Sequence, residues 1–148
     1  MTKRELAINY FKQGYNCAQA VALAFTDEMG LTYEVVAMMA SPFGGGMGRM
    51  REVCGAVSGM IMVLGKLEGI LDPSNSASKM ELYQKVQLLA SKFKEKNGTI
   101  ICRELLNLPS GDVSPKPEER TTAYYKKRPC AELCGDATEI LEDYLKNK

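Results

Sequence analysis

The sequence predicts an all-α fold, a single domain over residues 1–148 built as a bundle of about six or seven helices. Three observations carry this expectation. Apolar residues recur three and four positions apart along most of the chain. Residues that start and stop helices punctuate those stretches. No segment alternates apolar and polar residues as a half-buried strand does, and no internal repeat is visible.

The elements follow in order. Thr2 and Glu5 form a capping-box pattern, and Leu6, Tyr10 and Phe11 share one face before Gly14. Asn16 reads as a second N-cap, with Gln19 three residues on; that helix runs to about residue 28, and Gly30 closes it. Thr32 starts a third helix that ends near Ser41, because Pro42 disfavours helix at the residue before it. Residues 43–48, with four glycines, read as a flexible loop, and a long helix is predicted over residues 49–66. After a polar turn at 72–78, residues 76–96 show the clearest amphipathic stripe, with Leu82, Tyr83, Val86, Leu89, Ala90 and Phe93. Glu81 and Lys85 are spaced to support its outer face. Asn97 and Gly98 stop it, and Thr99 caps a short helix through Asn107. Residues 109–127 hold three prolines and many charges and read as a long surface loop. Pro129 suits the first turn of the last helix, whose inner face carries Cys130, Leu133, Cys134, Ala137, Ile140, Leu141 and Tyr144.

Composition narrows the chemistry. Nineteen Lys and Arg against eighteen Asp and Glu give a net charge of +1. That balance points to no nucleic acid and no anionic membrane as partner. No stretch reaches the ~20 apolar residues of a membrane helix, and no signal core precedes the first helix, so the expected location is cytoplasmic. The chain contains no His. Every mechanism that needs imidazole is excluded: a Ser/His or Cys/His pair, a His-ligated zinc, a His proton shuttle. No acid–base dyad points to an enzyme with its own small-molecule chemistry.

Sulfur is what remains, as five Cys and nine Met. In a reducing compartment the five are thiols, metal ligands or redox groups rather than a disulfide framework. No C-x-x-C pair occurs, so a joint site has to be assembled by the tertiary fold. Cys17 follows the cap Asn16, Cys102 lies three residues after Thr99, and Cys130 follows Pro129. Three cysteines thus fall in first helical turns, where open N–H groups favour a thiolate. Arg103 beside Cys102 and Arg128 near Cys130 add to that tendency. The bland reading makes each Cys a small buried hydrophobe.

Cys54 falls inside the predicted 49–66 helix, next to Gly55 and near Gly59. Two glycines in a helix imply close approach, by another helix or by a prosthetic group. Gly44, Gly45, Gly46 and Arg49 make a candidate anion site, although the loop matches neither a Walker A loop nor a dinucleotide fingerprint. Met38, Met39, Met47, Met50, Met60 and Met62 read as core filler rather than as metal ligands. Glu139, Glu142 and Asp143 read as a solvated face.

The ordered set of Asn16-Cys17-Ala18-Gln19, Gly44 to Arg49, Cys54-Gly55-Ala56-Val57-Ser58-Gly59, Cys102 and Cys130 resembles the C_GCAxxG_C_C family of redox-active proteins, over nearly the whole chain. The resemblance implies a redox role for Cys17, Cys54, Cys102 and Cys130, with Cys134 an extra cysteine. Arg51 stands where many relatives have a small residue. The family is also similar to the non-haem part of split-Soret cytochromes, which implies an iron–sulfur cluster as cofactor. Members are often encoded near transporter genes, which implies a transporter-associated role. Two chemistries then fit the four cysteines, an iron–sulfur electron carrier or thiol/disulfide exchange with a redox partner protein. Two alternatives stand beside them: a soft-metal module for zinc or copper(I), and a helical interaction protein with inert cysteines. Base rates among soluble proteins make a homodimer the expected assembly.

Overall fold

The computed structural model describes residues 1–109, 111 and 113–148. Helix takes up 65% of the chain and no sheet forms among the described residues, so the fold is all-α. The helices are α1 Lys3–Lys12, α2 Cys17–Leu23, α3 Thr26–Met29, α4 Tyr33–Ala40, α5 Gly55–Glu68, α6 Ser76–Asn97, α7 Cys102–Leu105, α8 Thr122–Lys127 and α9 Cys130–Lys146, with a 3-10 turn at Ser41–Phe43. Both expected capping boxes form: Thr2 with Glu5, and Asn16 with Gln19. Gly30 and Gly98 end their helices in the left-handed conformation.

The boundaries differ from expectation in four places, each for a local reason. The second helix breaks into α2 and α3. Thr26 Oγ1 donates to the Leu23 carbonyl at 2.7 Å and Lys3 Nζ donates to the Ala24 carbonyl at 3.0 Å. Those carbonyls are then held by side chains rather than by the helix ladder. Helix α5 starts at Gly55, not near 49, because Arg49 and Arg51 have φ of 62° and 64°, which a right-handed helix cannot contain. Thr99 accepts from the Ile101 N–H, so it caps a turn before α7, which begins only at Cys102. Within residues 109–127 Thr121 caps α8, a helix too short to show a periodic signal.

The core is shared by α1, α2, α5, α6 and α9, with Phe11, Phe25, Met60, Leu64, Leu89, Phe93 and Leu141 buried in it. Helices α2 and α5 meet closely. A Cβ at Gly59 would lie 2.6 Å from the Ala18 carbonyl oxygen, and one at Gly55 would lie 3.1 Å from the Ala18 nitrogen. The two glycines therefore serve helix-on-helix contact.

Charged groups fasten the outside. Arg4 of α1 bonds Asp136 at 2.8 Å and Glu139 at 2.9 Å on α9, and Lys96 of α6 reaches Asp136 at 3.1 Å. Glu139 is thus a tie between helices rather than part of a solvated face. Lys85 pairs with Glu68 at 3.0 Å, not with Glu81. The methionines also depart from expectation. Met60 is core, but Met38, Met39, Met47 and Met50 are exposed, because α4 and the glycine turn direct them outward. No described helix is long and apolar enough to cross a membrane.

Two stability predictions follow from these contacts. Gly59→Ala is expected to destabilise the fold by about 1–3 kcal/mol, because its methyl group would overlap Ala18. Gly65→Ala, with nothing within 4 Å of its Cβ, is expected to stabilise by about 0.4–1 kcal/mol. Urea unfolding of the two variants measures both.

Glu68 has its carboxyl buried, which raises its pKa, but Lys148, Tyr144 and Lys85 outweigh that and hold it at about 2, against an ordinary 4.5. A depressed carboxyl contributes stability above its ordinary value and loses it as pH falls through the folded value. Glu68→Gln is therefore expected to cost on the order of 1 kcal/mol at pH 7. That gap should close between pH 4.5 and about 2 in a pH series of unfolding curves.

Candidate functional site

Four short stretches of backbone bring the cysteines to one place. Cys17 is the first residue of α2, positioned by the Asn16 cap; Cys54 is the N-cap residue of α5. Cys102 is the first residue of α7 and Cys130 the first of α9. Cys54 therefore stands at a helix start like the other three, not inside a helix. The contact of α2 with α5 sets Cys17 beside the start of α5, where a Cβ on Gly55 would lie 3.1 Å from that of Cys17.

Cys54 and Cys102 are joined by a piece of extended backbone that periodicity does not reveal. Val53 and Ile101 form an isolated antiparallel bridge. The Cys54 N–H donates to the Ile100 carbonyl at 2.8 Å, the Cys102 N–H to that of Glu52 at 2.6 Å, and the Arg103 N–H to that of Arg51 at 3.2 Å. Residues 43–51 are a coil of hydrogen-bonded turns rather than a flexible loop, with Gly45, Gly46, Met47, Gly48, Arg49 and Arg51 all at positive φ. Gly46 is needed at its position, since a Cβ there would lie 2.7 Å from the Cys102 Cβ.

Cys17, Cys54, Cys102 and Cys130 all line one cavity of about 390 Å³. Gly44, Gly45, Gly46 and Arg49 line the same cavity. Cys134 does not; it is buried one turn behind Cys130, its Sγ 3.8 Å from the Cys17 carbonyl oxygen. Cys130 and Cys134 are the neighbouring thiols that most affect the proton affinity of Cys17. All five cysteines are free thiols. Among the described residues no three Cys, Asp or Glu side chains converge as a single metal ion requires.

The wall is cationic. Among the described residues, Arg49, Arg51, Arg120 and Arg128 line it against a single acid, Glu118. Arg51 lies with Nη1 3.7 Å from the Cys102 Sγ and is 6% exposed. Arg120 donates to the Phe11 and Tyr15 carbonyls at 2.8 and 2.9 Å and stacks on the Phe11 ring, 4.2 Å from its centroid. Arg128 pairs with Glu118 at 2.6 Å. Arg103, the sequence neighbour of Cys102, turns away and donates to the Pro109 carbonyl. Arg51 is distant in sequence from Cys102, and neither its approach to that thiol nor the approach of Arg120 to Cys130 has a local sequence signal.

Helix starts do not make these thiols acidic. Cys54 is pushed up to about 12 by burial, which outweighs the Ala56 and Val57 N–H groups. Burial raises Cys102 as well, against the pull of Arg51. Cys17 is raised well above the ordinary value: contact with Cys130 lowers it, but Cys134 and burial prevail. Cys130 is raised by its interaction with Cys17 and by burial.

The family model described as "Putative redox-active protein (C_GCAxxG_C_C)" matches residues 15–144. The chain belongs to this family. Cys17, Cys54, Cys102 and Cys130 fall within the matched residues, and the family description supports a redox-active protein. No match was found among curated proteins or among solved structures.

The protonated state has a measurable consequence. In the reduced, metal-free protein at pH 7, Cys17, Cys54 and Cys134 are expected to alkylate at least ~10-fold more slowly than in the urea-unfolded chain. Because burial and neighbouring thiols set the proton affinity of Cys17, Asn16→Ala is expected to cost ~1 kcal/mol without changing that labelling rate. Mass spectrometry of labelled peptides reads both results.

Proposed function

We propose that the four cavity cysteines form the redox centre of this protein and hold an iron–sulfur cluster, which makes the chain an electron carrier. The observation that carries this reading is the placement of four thiols around one cavity rather than at one point. A cluster contains several irons, so its ligands surround a space, whereas zinc or copper(I) draws its thiolates onto a single centre. The residues fit such a group. Cys17, Cys54, Cys102 and Cys130 supply the four sulfurs. Arg51, Arg120 and Arg128 supply positive charge that offsets thiolates in a buried site. Bound there, an iron–sulfur cluster supplies one-electron transfer. The protein's part is to hold four thiols that stay protonated until metal displaces the proton, and to shield them from solvent oxidants by burial.

A second reading is favoured by the placement of Cys17 and Cys130 on one cavity wall, where each shifts the other's proton affinity. There the pair reduces a partner's disulfide: one sulfur–sulfur bond forms between Cys17 and Cys130, the partner's breaks, and the two protons pass to its thiols.

Anaerobic reconstitution with iron and sulfide separates the two. The cluster reading expects a brown protein with visible absorption and acid-labile sulfide. Single Ser substitutions at Cys17, Cys54, Cys102 or Cys130 should lose most of the iron, and Cys134→Ser should keep it. A colourless protein that loses two thiols on mild oxidation, at Cys17 and Cys130, supports exchange instead.

A further inference from the structure

We propose that the cysteine cavity binds a small oxyanion against Arg51, beside Cys102. Arg51 is 6% exposed and lines the cavity. Its Nη1 lies 3.7 Å from the Cys102 Sγ, while its buried Nε has no acceptor among the described residues. An unsatisfied donor on a buried cation is costly, and native proteins seldom keep one without a ligand or a role. The other cavity guanidinium groups are engaged: Arg49 with the Ser114 carbonyl, Arg120 with two carbonyls, Arg128 with Glu118.

The backbone beside Arg51 supplies a second set of donors. The N–H groups of Gly45 and Gly46 have no acceptor among the described residues, and both glycines line the cavity. The turns that follow are different: Met47, Gly48, Arg49 and Arg51 each donate to a carbonyl of residues 42–45. Gly45 and Gly46 have φ of 65° and 70°, so consecutive N–H groups are gathered as in anion-holding backbone nests. Arg51 itself has φ of 64°, and its backbone is held there by the Gly45 carbonyl at 3.1 Å and the Arg103 N–H at 3.2 Å. Strain of this kind is kept where the surrounding structure enforces it for a purpose, and here it turns the guanidinium inward.

The class of ligand follows from the donors. A planar guanidinium edge and amide N–H groups match a carboxylate or a tetrahedral oxyanion of phosphorus or sulfur. The mouth of the cavity, at Gly48, Pro115 and Pro117, is exposed, so a small anion can enter. The inference goes beyond the redox reading and needs only the cavity's cations and amides, so it is tested on protein without iron.

The reduced, metal-free full chain is titrated by calorimetry with inorganic phosphate and, separately, with acetate, at constant ionic strength. Saturable one-to-one binding of either anion is expected, weakened at least ~10-fold in Arg51→Met. Phosphate or acetate, whichever binds, should also slow alkylation of Cys102 in the parent protein and not in the variant. Arg51→Lys keeps the charge and loses the planar guanidinium; it should bind at least ~3-fold more weakly, and it carries the test if Arg51→Met does not fold. No saturable binding of either anion, or equal affinity in parent and variants, overturns the proposal. Iron uptake by the same variants, which keep all their cysteines, reports on the cluster separately.

Discussion

The close contact of α2 with α5 is the constraint on which the rest depends. Ala18 sits against Gly55 and Gly59 with no room for a methyl group at Gly59. At that separation the start of α2 and the start of α5 become neighbours, and so do Cys17 and Cys54. A wider crossing would spread the cavity. It would also uncover Val21, Met60, Val63 and Leu64, which are buried around the same contact. Core packing and site assembly are thus one feature of the fold. The -Cys-Gly-Ala-x-x-Gly- stretch joins a thiol to the two glycines that let its helix come close.

A second constraint attaches Cys102. Residues 51–54 run antiparallel to 100–103 through three backbone hydrogen bonds and one bridge. This extended pair, too short to form a sheet, holds Cys54 and Cys102 by their own backbones. The left-handed turns before it deliver Arg51 to the inner side. Arg51, Cys102 and the free glycine amides consequently belong to one small loop system.

Within the cavity two effects on the thiols oppose each other. Helix starts and guanidinium groups favour thiolates, and burial favours thiols. Burial prevails for Cys54 and for Cys102. The thiolate is the reactive form in exchange, so burial that keeps these sulfurs protonated slows nucleophilic attack.

Most of the helical framework was legible in the residues themselves. Caps, stop glycines and apolar spacing act over three to five residues, so Thr2, Asn16, Thr32 and Gly98 announce their boundaries directly. The family motifs mark the four cysteines for the same reason: they are ordered along the chain. What the local rules missed were competitions settled at a distance. Lys3 takes the Ala24 carbonyl and helps split a helix, and the partner strand at 100–103 keeps residues 51–54 out of one. Arg51 reaches the cavity from a position far in sequence from Cys102, and the approach of Arg120 to Cys130 has no local sequence signal. Helix-start placement argued for acidic thiols, and burial together with neighbouring thiols, which no stretch of sequence contains, reversed that. Local hydrogen bonding decided where the helices begin, and desolvation and close packing decided what the cysteines became.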